Sequence, residues 1–255
     1  MRRRLLALFA VMVVVGCPPT TIDSDIVRPL PGEPFLEELP GPLTRPFKSF
    51  PDALIAACNK IITKPNAVTP RPGSQEFSTY WRRASEYCAW IYYTPDGNYE
   101  LSKLTDQSRI DPANRKKTCL LPPAVRDRRY SLGGIKYICA LHNHLFDDAL
   151  STLDLKFIVQ EGLRHGSPPH FGYRQETRDG GRLLSTVAFF SNQVEAPTCD
   201  GYYQYFPLTG VIVKVTHKNN RSTCEQFALV KWDDTLEFPT VTEVKGPCPN
   251  DEGAP

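Results

Sequence analysis

No apolar run in this chain is long enough to cross a membrane as a helix, no two cysteines stand at Cys-x-x-Cys spacing, and histidine occurs only five times. The first absence excludes a transmembrane span, since the run from Leu5 to Val15 falls well short of the ~20 residues a spanning helix needs. The second argues against a cysteine-built structural zinc finger. Basic side chains nowhere form a run interleaved with aromatics, so the electrostatic footprint of a nucleic-acid binder is missing. There is no internal repeat. His142-Asn143-His144 is too compact to be an HNH nuclease signal, whose residues are spread over a much longer stretch.

What is present begins with Met1-Arg2-Arg3-Arg4, the apolar Leu5 to Val15, and Gly16-Cys17. A positive segment, an apolar segment and a small residue before a cleavage point describe a secretory signal. Val14-Val15-Gly16-Cys17 resembles the bacterial lipobox, which implies that Cys17 becomes the lipidated first residue of the mature protein, anchored to a membrane. A plain signal peptide with an incidental cysteine is the alternative. Pro18 follows Cys17, and no aspartate of the inner-membrane retention type is found there, which points to the outer membrane of the cell envelope. Without residues 1–16, which hold three arginines, 27 basic side chains face 28 acidic ones.

The expected organisation is a signal peptide at 1–16, a Pro-rich disordered tether at 17–46, and one folded domain at 47–250. The tether reading rests on Pro-Leu-Pro-Gly-Glu-Pro and its like, which carry few large apolar residues with which to build a core. Leu54, Ile55, Cys58, Ile61 and Ile62 recur at helical spacing and predict a helix from Phe50 to Ile62. Ser85–Tyr93 and Tyr99–Leu104, around the turn Pro95-Asp96-Gly97-Asn98, predict a hairpin. Ile135–Leu141 predicts a further strand, and Arg109–Gly134 reads as a long connection. Arg182–Phe190, Gly210–Val215 and Gln226–Trp232 predict a strand-rich C-terminal third, with turns at Asp179-Gly180-Gly181 and Asn219-Asn220. Tyr202–Phe206 reads as core or edge-strand packing. The fold class is α/β (α+β), a mixed β-sheet flanked by helices.

If Cys17 carries lipid, seven cysteines remain, and an oxidising compartment predicts up to three disulfides and one free thiol. Cys199 with Cys224 and Cys88 with Cys139 are plausible pairs, although spacing alone does not fix connectivity. A nucleophilic Cys88 or Cys139 paired with His142 is a further chemistry open to the sequence.

The chemistry concentrates in His142, His144, Ser151 and Asp154. On a strand, residues i and i+2 share a face, so both imidazoles project together. Ser151 with Asp154 three residues on, before an apolar pattern, is a helix start of capping-box type. It would carry a carboxylate back toward the imidazoles, on a helix that ends near Arg164-His165-Gly166. On its own, Ser-x-x-Asp is more often a cap than a metal site; two imidazoles and a carboxylate in this order suit a zinc centre that keeps one position for water. His165, His170 and His217 read as helix-end or surface residues, with His165 a reserve ligand.

With Glu86 ahead of a strand, followed by His-x-His and then Ser-x-x-Asp, residues 75–165 resemble the JAMM (MPN-type) zinc metalloprotease family. The resemblance implies a JAMM/MPN-like fold, Zn²⁺ held by His142, His144 and Asp154, Glu86 as catalytic acid–base, and Ser151 as the active-site serine that stabilises the oxyanion. It implies hydrolysis of a peptide or isopeptide bond in a peptide or protein substrate. The chain departs from the family pattern at Leu145, where proline is usual, and in the nine residues from Leu145 to Leu153, one fewer than usual. A catalytically inactive JAMM-like binding or scaffold module is the alternative reading.

Overall fold

The structure, a computed structural model, describes residues 23–113, 115–131, 133–165, 184–219 and 221–248. The signal segment with Cys17, the turn at Asp179–Gly181, and His170 lie outside the described residues. The elements run Ile26–Val27 (β1), Glu38–Gly41 (β2), Phe50–Ile62 (α1), Phe77–Arg83 (α2), Cys88–Tyr93 (β3), Tyr99–Leu101 (β4), Leu104–Thr105 (β5) and Ser108–Asp111 (β6). Lys116–Cys119 (β7), Ala124–Asp127 (β8), Lys136–Asn143 (β9), Thr152–Arg164 (α3), Ser185–Phe190 (β10) and Gly201–Phe206 (β11) follow. Val211–Lys218 (β12), Arg221–Trp232 (β13) and Pro239–Pro247 (β14) complete the order.

One mixed sheet of ten strands, in the order β1-β5-β3-β9-β10-β11-β12-β13-β14 with β4 beside β3, carries the domain. The mixed α/β class expected from the sequence is present, and the chain is richer in strands than that reading implied. Side-chain alternation on β3 divides the interior in two. Ala89 and Ile91 face a core shared with α1 residues Ala53, Ala57 and Ile61, whereas Trp90 and Tyr92 face a second core with α3 residues Leu155, Ile158 and Val159. A sheet buried on both faces explains the near-continuous apolar reading of β3 and β9.

α1 starts where its sequence provides a cap: the Ser49 side chain accepts from the Asp52 N–H at 3.3 Å, and Pro51 occupies the first turn. β9 and β10 are parallel neighbours with α3 between them in sequence. Parallel neighbours require such a crossover, and the crevice beyond the carboxyl ends of the strands, where the helix begins, is where ligands bind in sheets of this kind.

The expected tether is in part a structured strap. From residue 23 onward the Pro-rich segment lies against the domain: β1 pairs in parallel with β5, β2 pairs in parallel with β8, and Leu39 is fully buried. Its few apolar residues are placed where they can be covered, and charge does the rest. Lys64 of the α1–α2 connection donates to Asp23 at 2.7 Å and Asp25 at 2.8 Å, and Arg28 forks onto Asp106. Lys64's hydrogen bond holds the Asp23 carboxyl below the usual range; at Asp25 burial pushes upward, but Lys64 and Lys60 outweigh it. A carboxylate whose pKa is depressed by folding stabilises above its unfolded pKa, about 3.9, and that contribution disappears as pH falls through the folded value. Lys64→Met is therefore expected to lower stability at pH 6, with the gap to wild type narrowing toward pH 2. Urea unfolding of both proteins across that range checks it.

Three disulfides join Cys58 to Cys199, Cys88 to Cys119 and Cys224 to Cys248, leaving Cys139 free and buried. The expected number is right and the two suggested pairings are not. Cys88 pairs across the sheet with His142, and Cys139 pairs with Ile91, so the two cysteines are offset by three positions, beyond disulfide reach. Cys224 on β13 is two strands away from β11, which Cys199 precedes. Neither cysteine is a nucleophile for His142: Cys88 is oxidised, and burial pushes the Cys139 thiol up to about 12. The predicted connection at Arg109–Gly134 contains the β6–β7 hairpin and β8.

Candidate metal centre

The end of β9 and the start of α3 bring His142, His144 and Asp154 together, with one ligand atom from each lying within 4.8 Å of the others. His142 is on β9 and His144 immediately follows the strand. Their rings stand 4.9 Å apart, as i and i+2 geometry predicts. The main chain then turns through Phe146–Leu150 and enters α3, whose N-cap is Ser151. The Ser151 Oγ accepts the Asp154 N–H at 3.3 Å, and the Asp154 carboxylate accepts the Ser151 N–H at 2.7 Å. This capping box fixes the carboxylate over the helix N-terminus, where a negative charge is favoured.

Asp154 faces both imidazoles: its Oδ1 is 3.4 Å from His142 Nε2 and its Oδ2 is 3.5 Å from His144 Nε2. The loop between them thus delivers the aspartate to both rings. It is braced from outside the site, since Asp147 accepts from the Tyr203 hydroxyl at 2.9 Å and from Lys214 Nζ at 3.0 Å. The Asp148 carbonyl lies 2.8 Å from His144 Nδ1, which turns His144 Nε2 toward Asp154. An outer partner on the second ring nitrogen is the arrangement that orients metal-bound histidines.

The donor set suits a divalent ion of borderline softness. His142 Nε2 is buried and has no hydrogen-bond partner, an uncompensated ring nitrogen that a cation would satisfy. Burial pushes His142 down to about 4, so this ring is neutral and ready to ligate. Burial also opposes charge on His144, but the Asp154 hydrogen bond and charge outweigh it and raise that ring to about 9. For Asp154 burial pushes upward, and the two imidazoles and Ser151 together hold it well below the usual carboxylate range. The three residues can hold a metal ion.

Glu86 is placed beside them by two backbone clamps. It lies two residues before β3, only 7% exposed, and shares a cavity wall with His144, Ser151 and Asp154. Its Oε2 accepts the Cys119 N–H at 3.1 Å, and Cys119 is tied to β3 through its disulfide with Cys88. Burial pushes the Glu86 carboxyl up to about 8.

The second clamp is Asn143, the residue between the histidines, which the sequence reading passed over. Its side chain is fully buried; Oδ1 accepts the Tyr87 N–H at 2.7 Å, and Nδ2 donates to the Ala67 carbonyl at 2.6 Å and to the Ser85 carbonyl at 3.3 Å. Asn143 therefore grips the backbone on both sides of Glu86. The signal was available: alternation must send the middle residue of His-x-His to the opposite face, and an amide there needs buried partners. Asn143→Ala leaves those backbone groups unsatisfied, about 1–3 kcal/mol each in desolvation. A fall in stability of that order is expected by chemical denaturation.

Among the described residues, the two other histidines stay away from the cluster. His165 caps α3 at its far end and stacks on Tyr137 with ring centroids 3.9 Å apart, so it is no reserve ligand. His217 on β12 pairs with the Ser222 hydroxyl. Tyr203 and Tyr205 of the aromatic cluster are buried core residues. No protein-family model, curated protein or solved structure matches this chain.

Proposed function

We propose that this protein is a zinc-dependent hydrolase of peptide or isopeptide bonds, of JAMM (MPN-like) type. The observation that supports this most directly is the meeting of two imidazoles and a carboxylate with a separate buried glutamate at one end of the sheet. His142, His144 and Asp154 would hold the ion. Zinc, when bound, supplies a Lewis acid that makes water nucleophilic near neutral pH. Glu86 accepts the proton of the attacking water and returns it to the departing amine, a task suited to a carboxyl whose pKa has been raised by burial. Ser151 carries a hydroxyl next to the ligands, where it can donate to the oxygen that becomes negative as the carbonyl carbon turns tetrahedral. In the resting chain that hydroxyl donates to Asp154 at 2.7 Å, so it must turn to serve the oxyanion.

The signal segment and the lipobox-like Val14-Val15-Gly16-Cys17 support placing this activity at a bacterial envelope, on a lipid anchor at Cys17, with three disulfides suited to an oxidising compartment. Among the described residues no helix is long and apolar enough to cross a membrane.

A scaffold reading has one observation in its favour: the Asp154 carboxylate already serves as a helix cap. Metal content separates the two. About one zinc per full-length chain, with peptide hydrolysis lost on chelation and regained on adding zinc, is the expected result. A chain that takes up no zinc at micromolar supply and cleaves no peptide library overturns the hydrolase reading and leaves the scaffold.

A further inference from the structure

Two cavities reach the candidate metal centre, and Asp154 lines both of them. The larger, ≈450 Å³, reaches His142 and is walled by Phe35, Leu121, Pro122, Leu153 and Phe157. Phe35 and Leu153 are 60% and 52% exposed at its edge, apolar surface left open to solvent beside a site. The smaller, ≈80 Å³, reaches Glu86, His144 and Ser151. Its other wall comes from the β6–β7 turn and β7, which contribute Arg115, Lys116 and Lys117. Lys117 is committed to the Ala84 carbonyl, whereas Arg115 and Lys116 are exposed. Asp148 is the remaining carboxylate at this cavity, and its Oδ1 already accepts the Ala149 N–H at 2.9 Å.

Which fragment of a substrate occupies which cavity follows from Glu86. The proton it returns goes to the departing amine, so that amine lies on the Glu86 side, in the small cavity. That space is less than a fifth of the larger cavity's, so it favours a small leaving residue over a bulky one. We propose that the site releases a single small C-terminal residue from a peptide, with a bulky apolar residue on the acyl side and the free carboxylate of the leaving residue facing Arg115 and Lys116. This rests on the hydrolase reading and narrows it from peptide bonds in general to the last bond of a chain. Water's oxygen bonds to the carbonyl carbon, the C–N bond breaks, and the water's proton passes through Glu86 to the amine. The products are a shortened peptide acid and a free amino acid, and no oxidant or reductant is needed.

The test uses the zinc-loaded full-length protein and three N-terminally blocked peptides: one ending in Phe-Ala as the free acid, its C-terminal amide, and one extended by further alanines. Mass spectrometry of the products is expected to show alanine released from the free acid, with kcat/KM at least about tenfold above the amide, as one charge-assisted contact supports. Arg115→Gln with Lys116→Gln is expected to bring that ratio to about one. Calorimetry on Glu86→Gln, which reads binding without turnover, is expected to show the same preference for the free acid. Equal cleavage of the amide and the extended peptide overturns this inference and leaves a zinc endopeptidase. No cleavage of any peptide by a zinc-loaded chain overturns both.

Discussion

Glu86→Gln is expected to lower kcat by about 10²–10⁴-fold, the range for loss of a general acid–base group, while bound metal stays at the wild-type level. The substitution is close to isosteric, and the amide oxygen can still accept the Cys119 N–H that fixes the native carboxylate. The surrounding clamps, Asn143 on Tyr87 and the Cys88–Cys119 disulfide, do not involve the side chain's charge. What changes is the capacity to take and return a proton. Replacing a buried carboxyl by an amide also removes a desolvated ionisable group, so stability should hold or rise. Metal analysis and turnover on the same preparation decide the matter. Equal turnover in the variant removes Glu86 from the chemistry, and a parallel loss of metal makes it a ligand or a structural support instead.

The site was legible because its signals are local. His142 and His144 fall on one face by the pleat of the strand, and Ser151 with Asp154 declares a helix start that the structure reproduces with both capping hydrogen bonds. α1 was legible from its apolar spacing, and its observed bounds match the predicted ones. What could not be read was set by contacts distant in sequence. Leu39, with proline on its C-terminal side and few apolar neighbours, gives no local hint that β8 will cover it. The β6–β7 hairpin is short and polar, with exposed Arg109 and Ile110, so no alternation marks it out from a loop. Disulfide partners depended on strand register, which the spacing of cysteines does not encode. β14, from Pro239 to Pro247, is largely exposed and bounded by prolines that read as breakers; its Thr240, Val241, Thr242 and Val244 suit a strand, and β13 offers the edge with which it pairs.

The C-terminal strands also do something for the site that no motif announces. Asp147 lies in the loop between the ligands and is held by Tyr203 of β11 and Lys214 of β12, with Arg71 at 3.2 Å on the outer side. That anchor fixes the path of the loop between His144 and Asp154. The β-rich part of the chain is thereby coupled to the position of Asp154 through the loop that Asp147 fixes.

His144→Ala is expected to abolish stoichiometric zinc binding in the full-length protein. Loss of an outer partner alone typically weakens a metal site 10–100-fold, so loss of one ligand in three should weaken it by more than about 100-fold. The effect should appear in stability as well as in metal content. A ligand at a thousand times its Kd stabilises the folded chain by about 4 kcal/mol, and a hundredfold weaker site retains only about 1.4 kcal/mol of that at the same supply. Thermal unfolding with and without zinc should therefore separate widely for wild type and only slightly for the variant. His217→Ala is the control, because that ring pairs with Ser222 on the β12–β13 ladder and has no part in the cluster. Protons compete at the same place. In the metal-free chain His144 keeps its proton up to about pH 9, since Asp154 outweighs the effect of burial. Zinc must displace that proton, so affinity should fall by about tenfold for each pH unit below that value. A flat affinity between pH 6 and pH 8 would mean that zinc displaces no proton from His144 in that range.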